Sequence, residues 1–157
     1  MEKDNPAKVL EKTNNSLCMD NDARMFVTTF LVFYNIKTGE FVYANGGHHT
    51  ASILSLDGEY ECFGALRNMA LGFLPDINRV GKKTLKKGDT IILYTDGVIE
   101  AISPEGEEFG EEKLENILLT NRELGLGQLC DTVVDAVAHF EVGSRFDDIT
   151  LLMLKKL

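Results

Sequence analysis

Apolar and polar positions form short alternating blocks along the chain, and these blocks predict strands and helices. The apolar run at 90–94 follows a Gly-Asp turn and ends at Thr95-Asp96-Gly97, which is typical of a buried strand. The chain also has shorter blocks rich in Val, Ile, Phe and Thr between turn signals. They predict strands at Met25 to Tyr34, Phe41 to Ala44, Ala51 to Leu56, Tyr60 to Phe63, Val80 to Leu85 and Ile149 to Leu154.

Three segments show helical spacing instead. Asn5-Pro6 is a good helix start, with Asn at the cap and Pro at the first helical position, and apolar residues follow as far as Leu17. A second helix is predicted behind Gly110-Glu111-Glu112, because acidic residues suit a helix N-terminus. The longest apolar stripe runs from Leu126 to Phe140 and predicts a third helix.

Composition limits the classes of protein to which the chain can belong. A length of 157 residues predicts one domain, and 44% hydrophobic with 26% charged residues provides a core and a charged surface. The net charge of −9 argues against a nucleic-acid or anionic-membrane partner. No apolar run approaches a membrane span, and no signal-peptide pattern is present. Cys18, Cys62 and Cys130 match neither a disulfide framework nor a zinc spacing, so we expect reduced thiols and a cytoplasmic location.

Two acidic elements border apolar runs and are the candidate metal ligands. Asp96 lies at the exit of one predicted strand, next to Gly97, which allows a sharp turn. Asp147 and Asp148 lie just before the last predicted strand. Carboxylates at the mouths of two strands suggest one shared cation site. The alternatives are that Asp96 caps a turn and that Asp147 and Asp148 belong to a solvated loop; with both elements present, metal ligation is the favoured interpretation.

Five short motifs occur in order along the chain and resemble those of a known family. They are Ala44-Asn45-Gly46-Gly47-His48, Leu71-Gly72-Phe73-Leu74-Pro75-Asp76, Tyr94-Thr95-Asp96-Gly97-Val98-Ile99-Glu100-Ala101, Gly106-Glu107-Glu108-Phe109-Gly110 and Asp147-Asp148-Ile149-Thr150. Together they resemble the metal-dependent serine/threonine protein phosphatases (PPM, protein phosphatase 2C-like), in the bacterial branch of stage II sporulation protein E and the sigma-factor regulators. The resemblance runs from about Pro6 to the end, so residues 1–157 are expected to be a partial phosphatase domain of this type.

The resemblance implies an α+β fold, an antiparallel β-sandwich flanked by helices. It implies hydrolysis of phosphoserine or phosphothreonine by a metal-activated water, with two Mn²⁺ or Mg²⁺ ions in the intact site. By resemblance, Asp96 and Asp147 bind the same ion, whereas Asp148, Gly97 and His48 shape or line the site. No side chain is assigned a catalytic role of its own. The implied partner is a phosphorylated regulatory protein such as an anti-anti-sigma factor.

The segment Asn45-Gly46-Gly47-His48-His49 predicts a tight Gly-rich corner, and metal ligation is one alternative for its two histidines. His48 and His49 are adjacent, and neighbouring histidines in a strand do not easily share one ion. A structural role in the corner is therefore the favoured interpretation, with His48 at the edge of the active-site cleft.

The chain departs from the family pattern in its first part. The family's Gly-Asp-x-Tyr-Asp and Asp-x-x-Gly-His-Gly motifs, which supply the metal-bridging carboxylates, do not occur here. We therefore expect a domain without the opening strands and first helix, weak metal binding and negligible turnover from these residues alone. A noncatalytic binding or regulatory module on the same fold is the alternative. Exposed sheet edges or the N-terminal helix are expected to support a homo-oligomer.

A phosphatase of the haloacid dehalogenase type is excluded by one position. That class needs Asp-x-Asp with the first aspartate as nucleophile, and Tyr94 stands at that place.

Overall fold

The computed structural model describes residues 5–19, 21–66, 68–73, 79–141 and 148–157. These residues form two compact units, one within Met1–Thr50 and Gly64–Lys86 and the other within Ala51–Phe63 and Lys87–Leu157. Each unit contains one antiparallel sheet, and each is described by itself. Within the described ranges, no helix has the length and apolar character needed to cross a membrane.

The first unit combines one helix with a three-stranded sheet. Its elements are α1 (Pro6–Met19), β1 (Thr29–Tyr34), β2 (Glu40–Gly46) and β5 (Gly81–Thr84), and the strand order is β1-β2-β5. Helix α1 begins where the sequence predicts, with the Asn5 Oδ1 accepting a hydrogen bond from the Ala7 N–H at 3.0 Å. Its buried Ala7 and Leu10 pack with Ala44 of β2 and with Leu71, which holds the helix on the sheet.

The second unit holds four strands and two helices. They are β3 (Ala51–Leu54), β4 (Tyr60–Phe63), β6 (Thr90–Tyr94), β7 (Leu151–Lys155), α2 (Gly110–Thr120) and α3 (Leu126–Phe140). The strand order is β4-β3-β6-β7, with every neighbouring pair antiparallel. Strand β6 is therefore paired along both edges. The α+β class predicted from the sequence is confirmed.

The core of the second unit lies between its helices and one face of its sheet. Leu129, Val133 and Val137 of α3 are fully buried at the helical spacing that the sequence shows. They pack in one cluster with β6, whose Ile92 and Tyr94 are 0% and 2% exposed. Burial of each such aliphatic side chain contributes about 1.5–3 kcal/mol. This packing fixes the end of β6, where the candidate site begins.

The start of β1 differs from the sequence prediction. The strand begins at Thr29 rather than at Met25. The Asn21 side chain accepts the Met25 N–H at 2.8 Å and donates to the Gly72 carbonyl at 3.1 Å, and Arg24 has a left-handed φ of 52°. These contacts hold the preceding residues in a loop, although their side chains have strand-like composition. Asparagine competes well for backbone groups in this way.

Candidate metal centre

Asp96 lies where a rigid strand ends. Strand β6 pairs with β3 on one side and with β7 on the other, and the last β6–β7 pair joins Tyr94 to Leu151. The chain then enters a 3₁₀ turn, Asp96–Val98, in which Asp96 is half-buried. Val98 is 0% exposed and belongs to the hydrophobic core of the unit. The carboxylate is therefore carried by a turn that is anchored on both sides.

The same turn places a second carboxylate beside the first. The Asp96 carbonyl accepts hydrogen bonds from the Ile99 N–H at 2.9 Å and the Glu100 N–H at 2.8 Å. Carboxylate oxygens of Asp96 and Glu100 lie within 4.8 Å of each other. Glu100 was not among the metal ligands predicted from the sequence. The sequence feature that could have indicated Glu100 is its position four residues after Asp96, since residues at that spacing share one face of a helical turn.

Thr95 ties this turn to the chain just before β7. Its hydroxyl donates to the Asp148 carbonyl at 3.0 Å and accepts from the Thr150 N–H at 2.9 Å. Its own N–H donates to the Thr150 carbonyl at 3.0 Å. We call this set of three bonds the Thr95 clamp. It holds the residues around Asp148 against the residue that precedes Asp96.

Replacing Thr95 with valine is expected to weaken manganese binding by about tenfold, because supporting contacts around metal ligands have effects of that size. Thr95→Ser is the matched control, since it keeps the hydroxyl and with it the clamp. Binding is measured by titration with Mn²⁺, and hydrogen exchange of the Thr150 amide reports the clamp directly. Equal affinity and equal exchange in the two variants would show that the hydroxyl does not support the site.

The chain after Glu100 returns to the start of α2. The Ala101 carbonyl accepts from the Phe109 N–H and the Ile99 carbonyl accepts from the Gly110 N–H, both at 2.8 Å. Phe109 is buried in the core of the unit, which supports the other end of the loop. Between these contacts, Ser103 and Glu107 are bonded to each other across an exposed turn at 104–106.

The site residues predicted from the sequence in this region differ in what the structure says of them. Asp147 lies outside the described residues. Asp148 is exposed, and its carbonyl takes part in the Thr95 clamp. Gly97 is buried inside the 3₁₀ turn, so its backbone has dihedral angles that other residues also adopt. The roles that the resemblance implies for these three residues stay predictions.

His48 belongs to a hydrogen-bonded corner of the first unit. The buried Asn45 amide donates to the His48 and Gly64 carbonyls, each at 2.8 Å, and its oxygen accepts the His48 N–H at 2.8 Å. The His48 Nδ1 accepts the N–H of His49 at 2.9 Å, and the imidazole meets the Phe30 ring edge-on. One ring nitrogen of His48 is thus occupied by the backbone, which favours the structural role.

Two tyrosines in the core of the second unit have raised pKa values. Burial raises the pKa of Tyr60 to about 12, although its hydrogen bond with Ser52 acts in the opposite direction. Burial also raises the pKa of Tyr94, the last residue of β6. Both phenols therefore remain neutral near neutral pH.

The donor set suits a hard divalent cation. Mg²⁺ binds oxygen ligands at about 2.0–2.1 Å, so two ligands of one ion lie at most about 4.2 Å apart. The separation of the Asp96 and Glu100 oxygens, within 4.8 Å, needs only a small side-chain adjustment to meet that limit. Both residues offer carboxylate oxygens, the ligand type that Mg²⁺ and Mn²⁺ prefer.

A family model described as stage II sporulation protein E (SpoIIE) matches residues 1–156. The chain belongs to the SpoIIE family. Among relatives of this SpoIIE-family chain, protein IcfG of Synechocystis is 30% identical over 142 residues, covering 89% of this chain and 22% of that protein. Phosphoserine phosphatase RsbU of Bacillus subtilis is 27% identical over 153 residues, covering 96% and 45%. The chain thus spans less than half the length of both.

Solved structures give the same fold for this SpoIIE-family chain. The SiaA-PP2C domain of Pseudomonas aeruginosa matches with a TM-score of 0.83 and 22% identity, over 97% of this chain and 61% of that one. The manganese-presoaked phosphatase domain of SpoIIE from Bacillus subtilis matches with a TM-score of 0.70 and 17% identity, over 99% and 74%. The fold is therefore that of PP2C-type phosphatase domains.

Proposed function

We propose that this chain belongs to a metal-dependent phosphatase domain that hydrolyses phosphoserine or phosphothreonine in a regulatory protein. The observation that carries the proposal is the paired carboxylates of Asp96 and Glu100 at the end of a strand bonded on both edges. Membership of the SpoIIE family and the name of the relative RsbU, a phosphoserine phosphatase, support the reaction class.

We propose further that Asp147 joins Asp96 at one ion. In an antiparallel pair, the end of one strand lies beside the start of its neighbour. The Thr95 clamp continues the β6–β7 pairing to Thr150 and Asp148. The residue that precedes Asp148 is therefore expected close to Asp96, as the resemblance implies.

The proposed ion is Mn²⁺ or Mg²⁺. When bound, it would lower the pKa of a water ligand and neutralise charge on a phosphoryl group. Asp96, Asp147 and Glu100 would hold it. The chain carries a net charge of −9, so a phosphoryl dianion approaching these carboxylates would meet repulsion. A divalent ion removes that repulsion, which is a physical reason to expect that binding of the phosphoryl group depends on metal.

A noncatalytic module is the second candidate function. The observation that favours it is the lack of the two further acidic motifs in the 157 residues. Such a module would bind a phosphorylated protein without hydrolysing it. The amount of bound phosphorylated protein would therefore stay constant with time.

The test is hydrolysis of p-nitrophenyl phosphate by the longest natural chain that contains these residues. We expect hydrolysis with Mn²⁺ or Mg²⁺ and loss of hydrolysis with a chelator, while the 157 residues alone give weak manganese binding and turnover near background. Hydrolysis that persists after the metal is removed would contradict the proposal. Metal-dependent binding of a phosphopeptide without any release of phosphate would favour the noncatalytic module.

A further inference from the structure

Strand β5 forms one edge of the sheet in the first unit. In the order β1-β2-β5 it has β2 on one side and, among the described residues, no neighbouring strand on the other. Its sequence is Gly-Lys-Lys-Thr, in which Lys82 and Thr84 are exposed whereas Gly81 and Lys83 are half-buried. An edge of this kind presents backbone groups that another extended segment can bind.

The bonds between β2 and β5 show which backbone groups of β5 point outward. The Leu85 N–H donates to the Gly39 carbonyl at 2.9 Å, and these two residues continue the β2–β5 register by one position. Hydrogen-bonded and non-hydrogen-bonded pairs alternate along an antiparallel ladder, so Lys83 also bonds to β2. Lys82 and Thr84 therefore direct their N–H and C=O groups away from the sheet.

Basic side chains are concentrated at this edge. Segment 79–88 has the sequence Arg-Val-Gly-Lys-Lys-Thr-Leu-Lys-Lys-Gly, with five basic residues and no acidic residue, in a chain whose 25 acidic residues outnumber its 16 basic ones. Lys82 and Lys83 lie on opposite faces of the sheet, because side chains alternate along a strand. A carboxylate on either face of an added strand would therefore have a lysine beside it.

The two units differ in charge. Ten of the 16 basic residues but only seven of the 25 acidic residues belong to the first unit, which gives it a net charge of +3. The second unit holds the other six basic and 18 acidic residues, a net charge of −12. An acidic partner is repelled by the chain as a whole and is attracted only where the local charge is positive.

We propose that the outer edge of β5 binds an acidic, extended segment of another protein as an additional strand. Backbone bonds to Lys82 and Thr84 would set the register of that strand, and pairing of its carboxylates with Lys82 and Lys83 would select acidic sequences. Lysines on an edge strand keep neutral strands away, because pairing would remove their charges from water. Carboxylates on the incoming strand reverse that effect, so the same lysines favour one class of partner.

The experiment compares the binding of two short labelled peptides to the 157-residue chain by fluorescence anisotropy. One peptide alternates glutamate with valine and the other alternates glutamine with valine, so that they differ in charge and hardly in size. We expect the glutamate peptide to bind at least about fivefold more tightly, because opposite charges on neighbouring strands attract. Its affinity should fall as salt is raised, since salt screens the attraction.

Hydrogen exchange of the β5 amides tests whether the peptide adds as a strand. The glutamate peptide should slow exchange at Lys82 and Thr84, whose N–H groups point outward. Exchange at Lys83 should change little, because its N–H already bonds to β2. A peptide that binds without protecting the Lys82 and Thr84 amides would be held by charge alone and would contradict strand addition.

A proline at position 84 tests the backbone contact separately from charge. Thr84→Pro removes an outward N–H and no bond within the sheet, and proline is tolerated at such positions of edge strands. We expect it to weaken binding of the glutamate peptide by about fivefold or more, since a backbone hydrogen bond is lost. Thr84→Val is the matched control, because it keeps the N–H and should bind as the wild type does.

Charge reversal tests the lysines. Lys82→Glu should weaken binding of the glutamate peptide by about fivefold or more, because like charges then lie on neighbouring strands. Lys12→Glu is the matched control, since Lys12 is exposed on α1 of the same unit and its reversal changes the net charge equally. Asp96→Asn should leave the affinity unchanged, so the outcome is independent of the proposed hydrolysis.

Three results with the peptides would overturn the proposal. They are a glutamate peptide that binds no better than the glutamine peptide, a Thr84→Pro variant that binds as Thr84→Val does, and a Lys82→Glu variant that binds as Lys12→Glu does. Protection of the Lys82 and Thr84 amides that appears without peptide and rises with protein concentration would assign the edge to a second copy. That result would equally reject a separate acidic partner.

Discussion

In the longest natural chain that contains these residues, Asp96→Asn is expected to reduce manganese affinity by at least about tenfold and to bring metal-dependent hydrolysis of p-nitrophenyl phosphate down to background. An amide oxygen is a neutral and weaker ligand than a carboxylate, so the ion loses charge compensation at the position closest to β6. The substitution keeps the size of the side chain. The turn should persist because the backbone bonds of Asp96 to Ile99 and Glu100 do not involve the carboxylate. Calorimetric titration with Mn²⁺ measures the affinity, and phosphate release measures the rate.

Asp57→Asn is the matched control for this prediction. Asp57 is exposed in the turn between β3 and β4 of the same unit, and its removal lowers the negative charge by the same amount. Glu100→Gln adds a graded test, since we expect it to weaken manganese binding less than Asp96→Asn. If Asp96→Asn and Asp57→Asn behave alike, with unchanged folding by circular dichroism, then Asp96 does not bind the ion and the proposed function loses its main support.

Gly47→Ala is expected to destabilise the protein by about 3 kcal/mol, well above the usual effect of a glycine substitution. Gly47 has a φ of +73°, and a Cβ there would lie 2.6 Å from the Ala70 backbone nitrogen and 2.8 Å from its Cα. Side chains with a Cβ disfavour this backbone region by about 1–2 kcal/mol. The remaining cost arises because two backbone segments would have to separate, which disturbs the corner that holds His48. Urea unfolding followed by circular dichroism measures the free energy.

Gly106→Ala separates the two causes. Gly106 has a similar φ of +85°, but a Cβ added there, in the exposed turn before α2, would have nothing within 4 Å. Its substitution should therefore cost only the conformational part, about 1–2 kcal/mol. Equal losses for the two variants would mean that the contact with Ala70 relaxes at no cost, and that the corner at Gly47 is less tightly packed than its distances indicate.

Local signals in the sequence were sufficient for much of the fold. The cap and proline at Asn5-Pro6 predict α1, and the stripe from Leu126 to Phe140 predicts α3 with its observed bounds. These elements depend on spacing between near neighbours, which a single sequence displays directly. The early start predicted for β1 was wrong because the Asn21 side chain bonds to the Met25 N–H and to the Gly72 carbonyl, which holds this segment in a loop. A contact between residues as distant as Asn21 and Gly72 leaves no local pattern in the sequence.

The candidate site was predictable in part. Asp96 could be found because an apolar strand ends abruptly beside it. Glu100 was missed because its position beside Asp96 depends on the 3₁₀ turn, and the sequence around Gly97 suggested a sharper reversal. The role of Thr95 was also hidden, since its partners Asp148 and Thr150 lie 53 and 55 residues further along the chain.

The exposed turn at 104–106 is a suitable place to attach a label to the protein. Backbone bonds on both sides hold the flanking residues in place, and the space around Gly106 is open. Exposed loop tips with small or polar residues tolerate added chain. A fluorophore attached there would follow metal loading from a position a few residues beyond Glu100, while leaving the supports of both carboxylates intact.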